Sequence, residues 1–486
     1  MRRAKIVATL GPATSSKDAI SALIREGMNV ARINMSHGDA ASKQELVDLV
    51  REAAKEANRS IAILVDLQGP KIRLGKFSDP PVFLEQDSTF TITIDPVAGD
   101  ETRCSTSYTG LPSDVKPGDI LLLDDGRIKL RATEVTDRDV VTKVEIAGPL
   151  SDHKGINLPN VPINVPALSE KDEMDLRWAL HADVDFIALS FVRTAQDADD
   201  IRKIMEEEGV ILPIIAKIEK PQAVENLDEI MHAFDGFMVA RGDLGVELPL
   251  EDVPLVQKII IEKARRNAKP VIVATQMLDS MISSPRPTRA ETSDVANAVL
   301  DGADAVMLSA ETAVGRYPTE TVHIMSRIIE STEDHGLPRM AGLLGTAKTK
   351  PGIICRAAQE VSEAINARYV VAFTITGDSA RRMTRYRSRI PVIGLTPDPR
   401  VRNQLALTWG VETFLTPPLT QTDELVLQVD HVLLDNNLAR KGEQVVVIAG
   451  APPGIPGSTN ALRIHNIGDA IARVAPGYEN VSLIKD

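Results

Sequence analysis

The segment PIIAKIE at residues 213–219 is a short apolar run that ends in a lysine and a glutamate two positions apart. Residues i and i+2 of a β-strand point to the same face, so Lys217 and Glu219 are predicted to project together from one strand end. The next run, GFMVA at 236–240, is followed by RGD, which brings Asp243 to a neighbouring strand end. A cation, a pair of carboxylates and a glycine turn at adjacent strand ends indicate a metal-assisted site for an anionic substrate.

Further apolar runs repeat this pattern of a strand that ends in a polar or glycine-rich cluster. One such run alone favours an ordinary core strand with a solvated end, whereas eight strand–helix repeats predict a (β/α)8 TIM barrel with its active site at the carboxyl ends of the strands. The other runs are KIVATLG at 5–11, NVARINMS at 29–36, IAILVDLQG at 61–69, VDFIALSF at 184–191, PVIVATQ at 270–276 and AVMLSAET at 305–312. Helices are predicted at Ser16–Glu26, Lys43–Ala57, Ser169–His181, Ala195–Glu208, Pro221–Met231, Pro254–Asn267 and Arg289–Leu300.

Composition describes a globular chain with more than one domain. At 486 residues the chain exceeds one hydrophobic core, which predicts about two to four domains. The net charge of −13 argues against nucleic-acid binding through a basic surface. Cys104 and Cys355 make neither a disulfide framework nor a metal cluster, which favours a reducing, cytoplasmic location. Met1–Lys5 is interpreted as leading into a first strand rather than a signal peptide, and no apolar run is long enough to predict a membrane span.

Breaks in the strand–helix rhythm predict the domain organisation. Short alternating strands replace the helices after residue 70, and Asp125-Gly126 between two of them is a hairpin signal. An insert in the third loop at the catalytic end of a barrel is placed to act as a lid. Helical patterning returns with a capping-box start at Ser169, and the stretch Met340–Pro351 is interpreted as a linker. The predicted domains are a barrel at 1–70 and 167–342, a small β-barrel lid at 71–166, and a C-terminal α/β open-sheet domain at 343–486.

Dispersed segments carry a resemblance to a known family. They are KIVATLGPAT at 5–14, ARINMSHG at 31–38, DLQGPKIR at 66–73, AKIE at 216–219, ARGDLG at 240–245, ATQML at 274–278 and MLSAET at 307–312. Together they resemble pyruvate kinase over essentially the whole chain, and the segment at 66–73 is most similar to bacterial members. The resemblance implies a glycolytic homotetramer that transfers a phosphoryl group from phosphoenolpyruvate to ADP.

The resemblance also implies roles for the charged strand-end residues. Glu219 and Asp243 are implied to hold Mg²⁺, with Mn²⁺ as an alternative, where it bridges oxygens of the substrate. Lys217 is implied to stabilise charge on the transferring group and the enolate, and the forked side chains of Arg32 and Arg73 to grip phosphoryl oxygens. On its own, the Lys217–Glu219 pair would be equally compatible with a solvated salt bridge.

Two functions are open for Thr275. The resemblance implies a pocket for the substrate carboxylate made by the Thr275 hydroxyl and the backbone N–H groups of Gly242 and Asp243. It also implies that Thr275 takes part in protonating the enolate carbon, through a relay that includes water and Ser309 or Glu311. A role for Thr275 in positioning the carboxylate alone is equally compatible with the sequence.

Nucleotide binding is implied for residues of both the barrel and the lid. The chain departs from many family members at Asp39–Ser42, where an aromatic residue near the base is usual, and at Ala310, where glycine is common. Base stacking therefore lacks its usual partner, and only a small local effect is expected at Ala310. For His37 the alternative is an ordinary loop histidine. The implied nucleotide-binding residues are Pro12, Asn34, His37, Arg73 and Lys154.

Lys71 predicts independence of K⁺. Potassium-requiring members typically carry glutamate at the matching position, and a lysine ammonium can supply the positive charge that K⁺ otherwise brings. The alternative is a surface lysine in a Gly-Pro turn. The implied ligands of the monovalent cation are Asn34, Ser36, Asp66 and the carbonyl of Leu67.

A strand-to-helix turn, TITGDSA at 374–380, predicts an effector site in the C-terminal domain. Taken alone, this turn favours a simple helix cap, whereas the resemblance implies a phosphorylated allosteric activator held there by N–H groups and hydroxyls. Asp378 is predicted to oppose highly charged ligands, which favours AMP or a sugar monophosphate over fructose 1,6-bisphosphate. The implied effector residues are Thr374, Thr376, Gly377, Ser379, Gly457 and Ser458.

Two other functions are compatible with parts of the pattern. A different metal-dependent barrel enzyme for enolpyruvates, such as an aldolase or a phosphoenolpyruvate mutase, would need neither Lys154 nor a site for ADP. A non-catalytic scaffold that only binds an effector would be expected to have lost Lys217, Glu219 or Asp243, and all three are present.

Overall fold

The structure is a computed structural model that describes residues 2–159, 161, 163, 165–340, 342–343, 347–419, 421 and 424–472. Part of the predicted linker, Ala341 and 344–346, and the end of the predicted C-terminal domain, 473–486, lie outside the described residues. Among the described residues, no helix combines the length and the apolar composition that a bilayer crossing requires.

Within the described chain, eight parallel strands close into a barrel, which confirms the predicted (β/α)8 fold. The first and the eighth strand pair directly, with Lys5 opposite Ala305. Most residues of these strands are buried, as expected where side chains fill the barrel interior on one face and pack against helices on the other. The barrel strands are Lys5–Thr9, Val30–Asn34, Ala62–Asp66, Phe186–Leu189, Ile214–Ile218, Gly236–Ala240, Val271–Ala274 and Ala305–Leu308.

The surrounding helices follow the predicted positions with one break. The helix predicted at Pro221–Met231 is two shorter ones, which meet at Asn226. The predicted capping box at Ser169 is present, with the Ser169 hydroxyl accepting a hydrogen bond from the backbone N–H of Asp172. The α-helices of the barrel are Lys17–Glu26, Ala40–Glu56, Glu170–His181, Asp197–Glu208, Pro221–Glu225, Leu227–Ala233, Arg241–Glu247, Val253–Arg266, Arg289–Asp301, Ala310–Ala313 and Pro318–Gly336, and 3-10 helices lie at Pro12–Thr14, Asp279–Ile282 and Leu337–Arg339.

The lid is mainly β-structure and folds between the third and fourth barrel strands. Asp125-Gly126 forms the predicted hairpin turn, and positive φ angles at both residues explain why aspartate and glycine occupy it. A short helix, Leu111–Asp114, was not expected in an all-β insert. The lid strands are Val82–Leu84, Thr89–Thr93, Arg103–Ser105, Ile120–Leu123, Ile128–Val135, Asp139–Ile146, Gly148–Leu150 and Ile156–Asn157.

The C-terminal domain is an open five-stranded sheet flanked by helices, as the fold class predicts. The predicted linker is shorter than expected, because Lys350 and Pro351 already belong to a helix capped by Thr349. Proline is tolerated in a first helical turn, where its missing N–H has no partner to lose. The strands are Tyr369–Phe373, Val392–Thr396, Val411–Leu415, Gln444–Gly450 and Thr459–Asn466, of which the third and fifth were not predicted. The helices are Lys350–Ala364, Asp378–Thr384, Pro399–Gln404, the 3-10 turn Leu405–Leu407, Glu424–Asp435 and Asp469–Ala472.

Candidate active site

A cavity of about 320 Å³ opens at the carboxyl ends of the barrel strands. This is the end at which barrel enzymes carry their active sites. The cavity brings together most of the charged residues that the sequence singles out, although they come from strands and strand ends far apart in the chain. The predicted site residues that line it are Arg32, Asn34, His37, Asp66, Lys217, Glu219, Asp243, Thr275 and Ser309.

Lys217 lies between two carboxylates at the mouth of the barrel. Its Nζ is 3.0 Å from Glu219 Oε1 and 3.2 Å from Asp66 Oδ1, and both carboxylates are almost completely buried. Burial alone would lower the pKa of Lys217, but Asp66 and Glu219 more than offset it and hold the pKa above its usual value. Lys217 is therefore a permanent cation facing the cavity.

Asp66 joins Lys217 to a second cation. Arg32 Nε donates to Asp66 Oδ2 at 2.7 Å, and Arg32 Nη1 donates to Thr9 Oγ1 at 3.0 Å. Burial would raise the pKa of Asp66, but Lys217 and Arg32 outweigh it and lower that pKa. The geometry fixes Arg32 beside Lys217, so that both cations border the space in which an anionic substrate would sit.

Glu219 and Asp243 provide oxygens suited to a divalent cation. Glu219 Oε2 accepts a hydrogen bond from the backbone N–H of Phe191 at 2.7 Å, whereas buried Oε1 accepts no well-directed hydrogen bond. Burial raises the pKa of Glu219. The charge of Asp243 raises it further, whereas the charge of Lys217 lowers it without offsetting the other two. A hard cation would give Glu219 Oε1 a partner and would offset the repulsion between Glu219 and Asp243. The donor set therefore fits Mg²⁺ or Mn²⁺.

The metal-binding groups of the protein alone are too few to enclose such an ion. Across the described residues, no group of three or more His, Cys, Asp or Glu side chains is arranged to hold a metal. Mg²⁺ commonly uses one or two carboxylates and completes its shell with water and substrate oxygens. The carboxylates of Glu219 and Asp243 beside an open cavity match this mode of Mg²⁺ binding.

Thr275 is held in an unusual backbone conformation at the end of the seventh strand. Its φ is 72° and that of Gln276 is 53°, a left-handed region that costs a branched residue energy. The Thr275 hydroxyl accepts the N–H of Gly242 at 2.7 Å and donates to the carbonyl of Ala274 at 2.6 Å. The hydroxyl is therefore fixed at the cavity wall next to the glycine turn.

Glu311 lies behind the cavity rather than in its wall. Its carboxylate accepts the backbone N–H groups of Ser309 at 2.6 Å and Leu278 at 3.2 Å. Burial raises the pKa of Glu311. In the described structure no hydrogen bond links Thr275 to Ser309 or Glu311, so the proton relay stays a prediction.

The predicted nucleotide-binding residues are divided between the barrel and the lid. Asn34 and His37 line the cavity, and Pro12 begins the short 3-10 helix Pro12–Thr14. Arg73 Nη1 instead donates to the carbonyl of His153 at 3.1 Å. Lys154 pairs with Asp124 of the lid at 2.8 Å. The structure does not bring Arg73 and Lys154 into the cavity.

The predicted monovalent-cation ligands are engaged by the protein itself. Asn34 Oδ1 accepts the N–H of Ser36 at 3.1 Å, and the Leu67 carbonyl accepts the hydroxyl of Ser190 at 2.7 Å. Lys71 lies along the root of the lid beside Gly155 and lines a neighbouring cavity of about 370 Å³. Its side chain does not line the catalytic cavity.

The predicted effector residues gather around a separate cavity of about 100 Å³ in the C-terminal domain. Gly377 has a φ of 83° at the start of the helix Asp378–Thr384, and Ser379 Oγ lies 2.6 Å from Thr459 Oγ1. The expectation for Asp378 needs correction, because Arg382 pairs with its carboxylate at 2.6 Å and compensates its charge. The predicted residues that line this cavity are Thr374, Thr376, Ser379, Gly457 and Ser458.

Sequence reasoning missed Ser190, Phe191 and Thr9, which contact the charged cluster directly. Ser190 Oγ accepts a hydrogen bond from Lys217 Nζ at 2.8 Å. Ser190 and Phe191 end the apolar run at 184–191, so the strand-end rule that identified Lys217 also applies to them. Their importance depends on which neighbours they reach, which the run does not encode.

Comparisons with known proteins agree over the whole chain. The family model described as pyruvate kinase, barrel domain, matches residues 1–322, and that of the pyruvate kinase alpha/beta domain matches 353–465. The chain is 54% identical over 468 residues to a pyruvate kinase of Corynebacterium glutamicum, covering 96% of this chain and 98% of that protein. It is 51% identical over 468 residues to one of Mycobacterium tuberculosis, covering 96% and 99%. A pyruvate kinase crystal structure from Cryptosporidium parvum is similar with a TM-score of 0.90 at 35% identity, covering 96% of each chain.

Proposed function

The chain belongs to the pyruvate kinase family and is a kinase, and from this premise we propose that its barrel cavity transfers the phosphoryl group of phosphoenolpyruvate to ADP with a bound divalent cation. The observation that carries the proposal is the buried cluster of Lys217, Asp66 and Glu219 with Arg32 beside it. Phosphoryl transfer needs alignment and charge stabilisation more than it needs a protein nucleophile. Two fixed cations and two carboxylates around one cavity supply these requirements.

Lys217 and Arg32 act on the phosphoryl group in this proposal. Lys217 remains protonated because its carboxylate neighbours favour the charged form, so it offers N–H donors to oxygens that gain charge in the transition state. Arg32 keeps its guanidinium in place through Asp66 and Thr9 and can contact the same group from the side. Glu219 and Asp243 hold the divalent cation, which supplies Lewis-acid polarisation of substrate oxygens when bound.

The substrate carboxylate and the enolate are assigned to the wall formed by Thr275. Thr275 and Asp243 line the cavity, and the N–H of Gly242 donates to the Thr275 hydroxyl behind its wall. Glu311 can hold a proton behind this wall, because burial raises its pKa. Through Ser309 and water it could return that proton to the enolate side, whereas Thr275 positions the carboxylate.

The lid is proposed to complete the nucleotide site by moving toward the barrel. Arg73 and Lys154 contact His153 and Asp124 within the lid, away from the cavity that His37 lines. Closure would deliver both cations to the phosphates of ADP and would exclude water from the reaction.

The experiment that tests the function is a rate measurement with each component omitted in turn. Purified protein is given phosphoenolpyruvate, ADP and Mg²⁺, and ATP and pyruvate are quantified separately. Both products should appear in equal amounts and should require all three components. Pyruvate without ATP, or turnover of phosphoenolpyruvate without ADP, would instead favour an aldolase or a mutase.

The C-terminal cavity is proposed to bind a phosphorylated activator in a homotetramer. Hydroxyls and backbone N–H groups line it, and no lysine or arginine is among its lining residues in the described chain. A cavity without a cation suits one phosphate monoester, so AMP or a sugar monophosphate is favoured over fructose 1,6-bisphosphate. This reason replaces the one based on Asp378, whose charge Arg382 compensates.

Replacing Thr376 by glutamate tests the effector site. A carboxylate in the turn should repel a phosphate, so Thr376→Glu should lose the activation by AMP or glucose 6-phosphate that the wild type shows. The measurement is the rate at subsaturating phosphoenolpyruvate with and without each compound. Unchanged wild-type kinetics with every phosphorylated metabolite tested would refute the effector site itself.

A further inference from the structure

The hydroxyl of Ser190 connects the catalytic lysine to the backbone of a neighbouring strand end. Ser190 Oγ accepts from Lys217 Nζ at 2.8 Å and donates to the carbonyl of Leu67 at 2.7 Å. Ser190 is 2% exposed and directly follows the strand Phe186–Leu189. A hydroxyl has one hydrogen, and the carbonyl takes it, so only lone pairs of Ser190 face the lysine.

Lys217 Nζ has three oxygen neighbours in the described structure, and the neutral Ser190 Oγ is the one that accepts a well-directed hydrogen bond. The ammonium has three hydrogens, and its neighbours are Ser190 Oγ, Asp66 Oδ1 and Glu219 Oε1. The two carboxylates oppose its charge, whereas the hydroxyl fixes its position without cancelling that charge. Ser190 can therefore hold the lysine while leaving its positive charge available to an anionic substrate.

The turn that carries Ser190 also holds the other member of the pair. The backbone N–H of Phe191 donates to Glu219 Oε2 at 2.7 Å, and Phe191 has a left-handed φ of 56°. A Cβ on Gly69 would lie 2.8 Å from both Ser190 Cβ and Phe191 Cδ2, so the turn packs against a residue that must lack a side chain. The position of the Lys217–Glu219 pair thus depends on this one tightly packed turn.

We propose that Ser190 is a positioning residue for phosphoryl transfer, which keeps Lys217 Nζ aimed at the transferring group. The inference rests on the proposed function, in which Lys217 contacts the phosphoryl oxygens. Glu219 Oε1 pairs with Lys217 at 3.0 Å but accepts no well-directed hydrogen bond, so the N–H on that side is available to the substrate. Ser190 accepts one hydrogen of the ammonium, and the ion pairs with Asp66 and Glu219 keep the charge in place, so N–H groups of Lys217 remain for the substrate.

Replacing Ser190 by alanine removes the acceptor without adding bulk. Because a small misplacement of a catalytic group is expensive, Ser190→Ala should lower kcat by about 10- to 100-fold while the KM for phosphoenolpyruvate changes by less than about threefold. Ser190→Cys, with similar size and a weaker acceptor, should fall between alanine and wild type. Ser362→Ala is the matched control, since this buried hydroxyl donates to the Gln359 carbonyl at 2.8 Å in the C-terminal domain and contacts no lysine.

A double-mutant cycle with Lys217 separates positioning from a general structural role. If Ser190 acts through the lysine, Ser190→Ala should cost less than about threefold in a Lys217→Met background, measured by single-turnover formation of pyruvate at high enzyme concentration. An equal loss in both backgrounds, or a Ser190→Ala enzyme within about threefold of wild type, would overturn the proposal. Melting temperatures monitor folding, and Ser190→Cys in both backgrounds gives the same cycle if alanine does not fold. Near-wild-type turnover of Lys217→Met alone would instead refute the proposed function.

Discussion

Lys217 and Lys5 lie at opposite ends of the same barrel, Lys5 buried and Lys217 with a side chain 12% exposed, and their pKa values shift in opposite directions. Lys217 lies at the carboxyl ends of the strands, between Asp66 and Glu219, and its pKa is raised despite burial. Lys5 begins the first strand at the other end and donates to the backbone carbonyl of Val411 at 2.8 Å. Burial lowers the pKa of Lys5 to about 8.

The difference shows that burial alone does not decide how a barrel uses a cation. Carboxylates keep Lys217 charged at the end where loops form a cavity, so its charge can meet a substrate. Lys5 has a neutral carbonyl as its hydrogen-bond acceptor, and nearby Arg2 further lowers its pKa. Because Val411 begins a strand of the C-terminal domain, the contact of Lys5 joins two domains, which is a structural role.

The largest expected effect comes from removing each cation in turn. Lys217→Met should lower kcat by about two to three powers of ten, because a buried group that stabilises transition-state charge commonly contributes ~3 to 4 kcal/mol. Lys5→Met is the matched control and should keep kcat within about threefold, because it lies at the opposite end of the barrel. Steady-state rates of ATP formation at saturating substrates measure both. A Lys217→Met enzyme with near-wild-type turnover would refute the proposed catalytic role of Lys217.

A smaller loss is expected when the charge of the proposed metal site is reduced without changing its shape. Glu219→Gln should weaken Mn²⁺ binding about 10- to 100-fold, because it removes a negative charge from the donor set. Electron paramagnetic resonance of free Mn²⁺ measures this without relying on activity. Lys217→Met should bind Mn²⁺ at least as well as wild type, since it removes a neighbouring cation. Unchanged Mn²⁺ affinity in Glu219→Gln would exclude this carboxylate as a ligand.

The predicted role of Lys71 can be tested by reversing its charge. We expect the wild type to be active without K⁺, and Lys71→Glu to gain a rate increase of several-fold, up to about tenfold, on adding K⁺. The reason is that the proposed closure of the lid would bring the charge of residue 71 toward the catalytic cavity, which Lys71 does not line in this structure. Initial rates in buffers with a bulky organic counter-ion, free of sodium and potassium, provide the measurement. A wild-type rate that rises about tenfold or more with K⁺ would contradict the idea.

The last expected effect is on stability rather than on catalysis, at the opposite end of the barrel. The pKa of Lys5 is about 8 in the folded protein against 10.5 as its ordinary value, so between these pH values the unfolded chain binds the proton that the folded protein lacks. Wild-type stability should therefore rise relative to Lys5→Met as pH increases from 8 to 10.5, by at most about 3.5 kcal/mol at ~1.4 kcal/mol for each tenfold change. Below pH 8 Lys5 is charged in the folded protein, so the full free-energy cost of burying its charge lowers the stability of the wild type.

Melting temperatures of the wild type and of Lys5→Met at pH 7, 9 and 10.5 provide the test. Lys116→Met, at an exposed lysine, is the control for loss of a surface charge. A constant difference between wild type and Lys5→Met across this range would show that Lys5 does not titrate there. The comparison with Lys217 would then rest on catalysis alone.

Several parts of the fold and site were predictable because they depend on local pattern. All eight barrel strands lie within the predicted runs, since continuous apolar segments of this length suit strands buried on both faces. The neighbouring positions of Lys217, Glu219 and Asp243 follow from strand periodicity and strand order. The break at Asn226, the helical position of Pro351 and the pairing of Asp378 with Arg382 were not predicted, because each depends on a local geometry that composition does not specify.

The sequence by itself determined the barrel, the family and the chemical types of the residues proposed to be catalytic, because strand periodicity and the dispersed motifs are written along the chain. Only the tertiary structure decided which groups those residues meet. Arg32 reaches Asp66, and Ser190 reaches both Lys217 and Leu67, across separations that no local pattern records. The signs of the two lysine pKa shifts were decided in the same way, since Lys5 and Lys217 differ in the charge of their neighbours and not in their own chemistry.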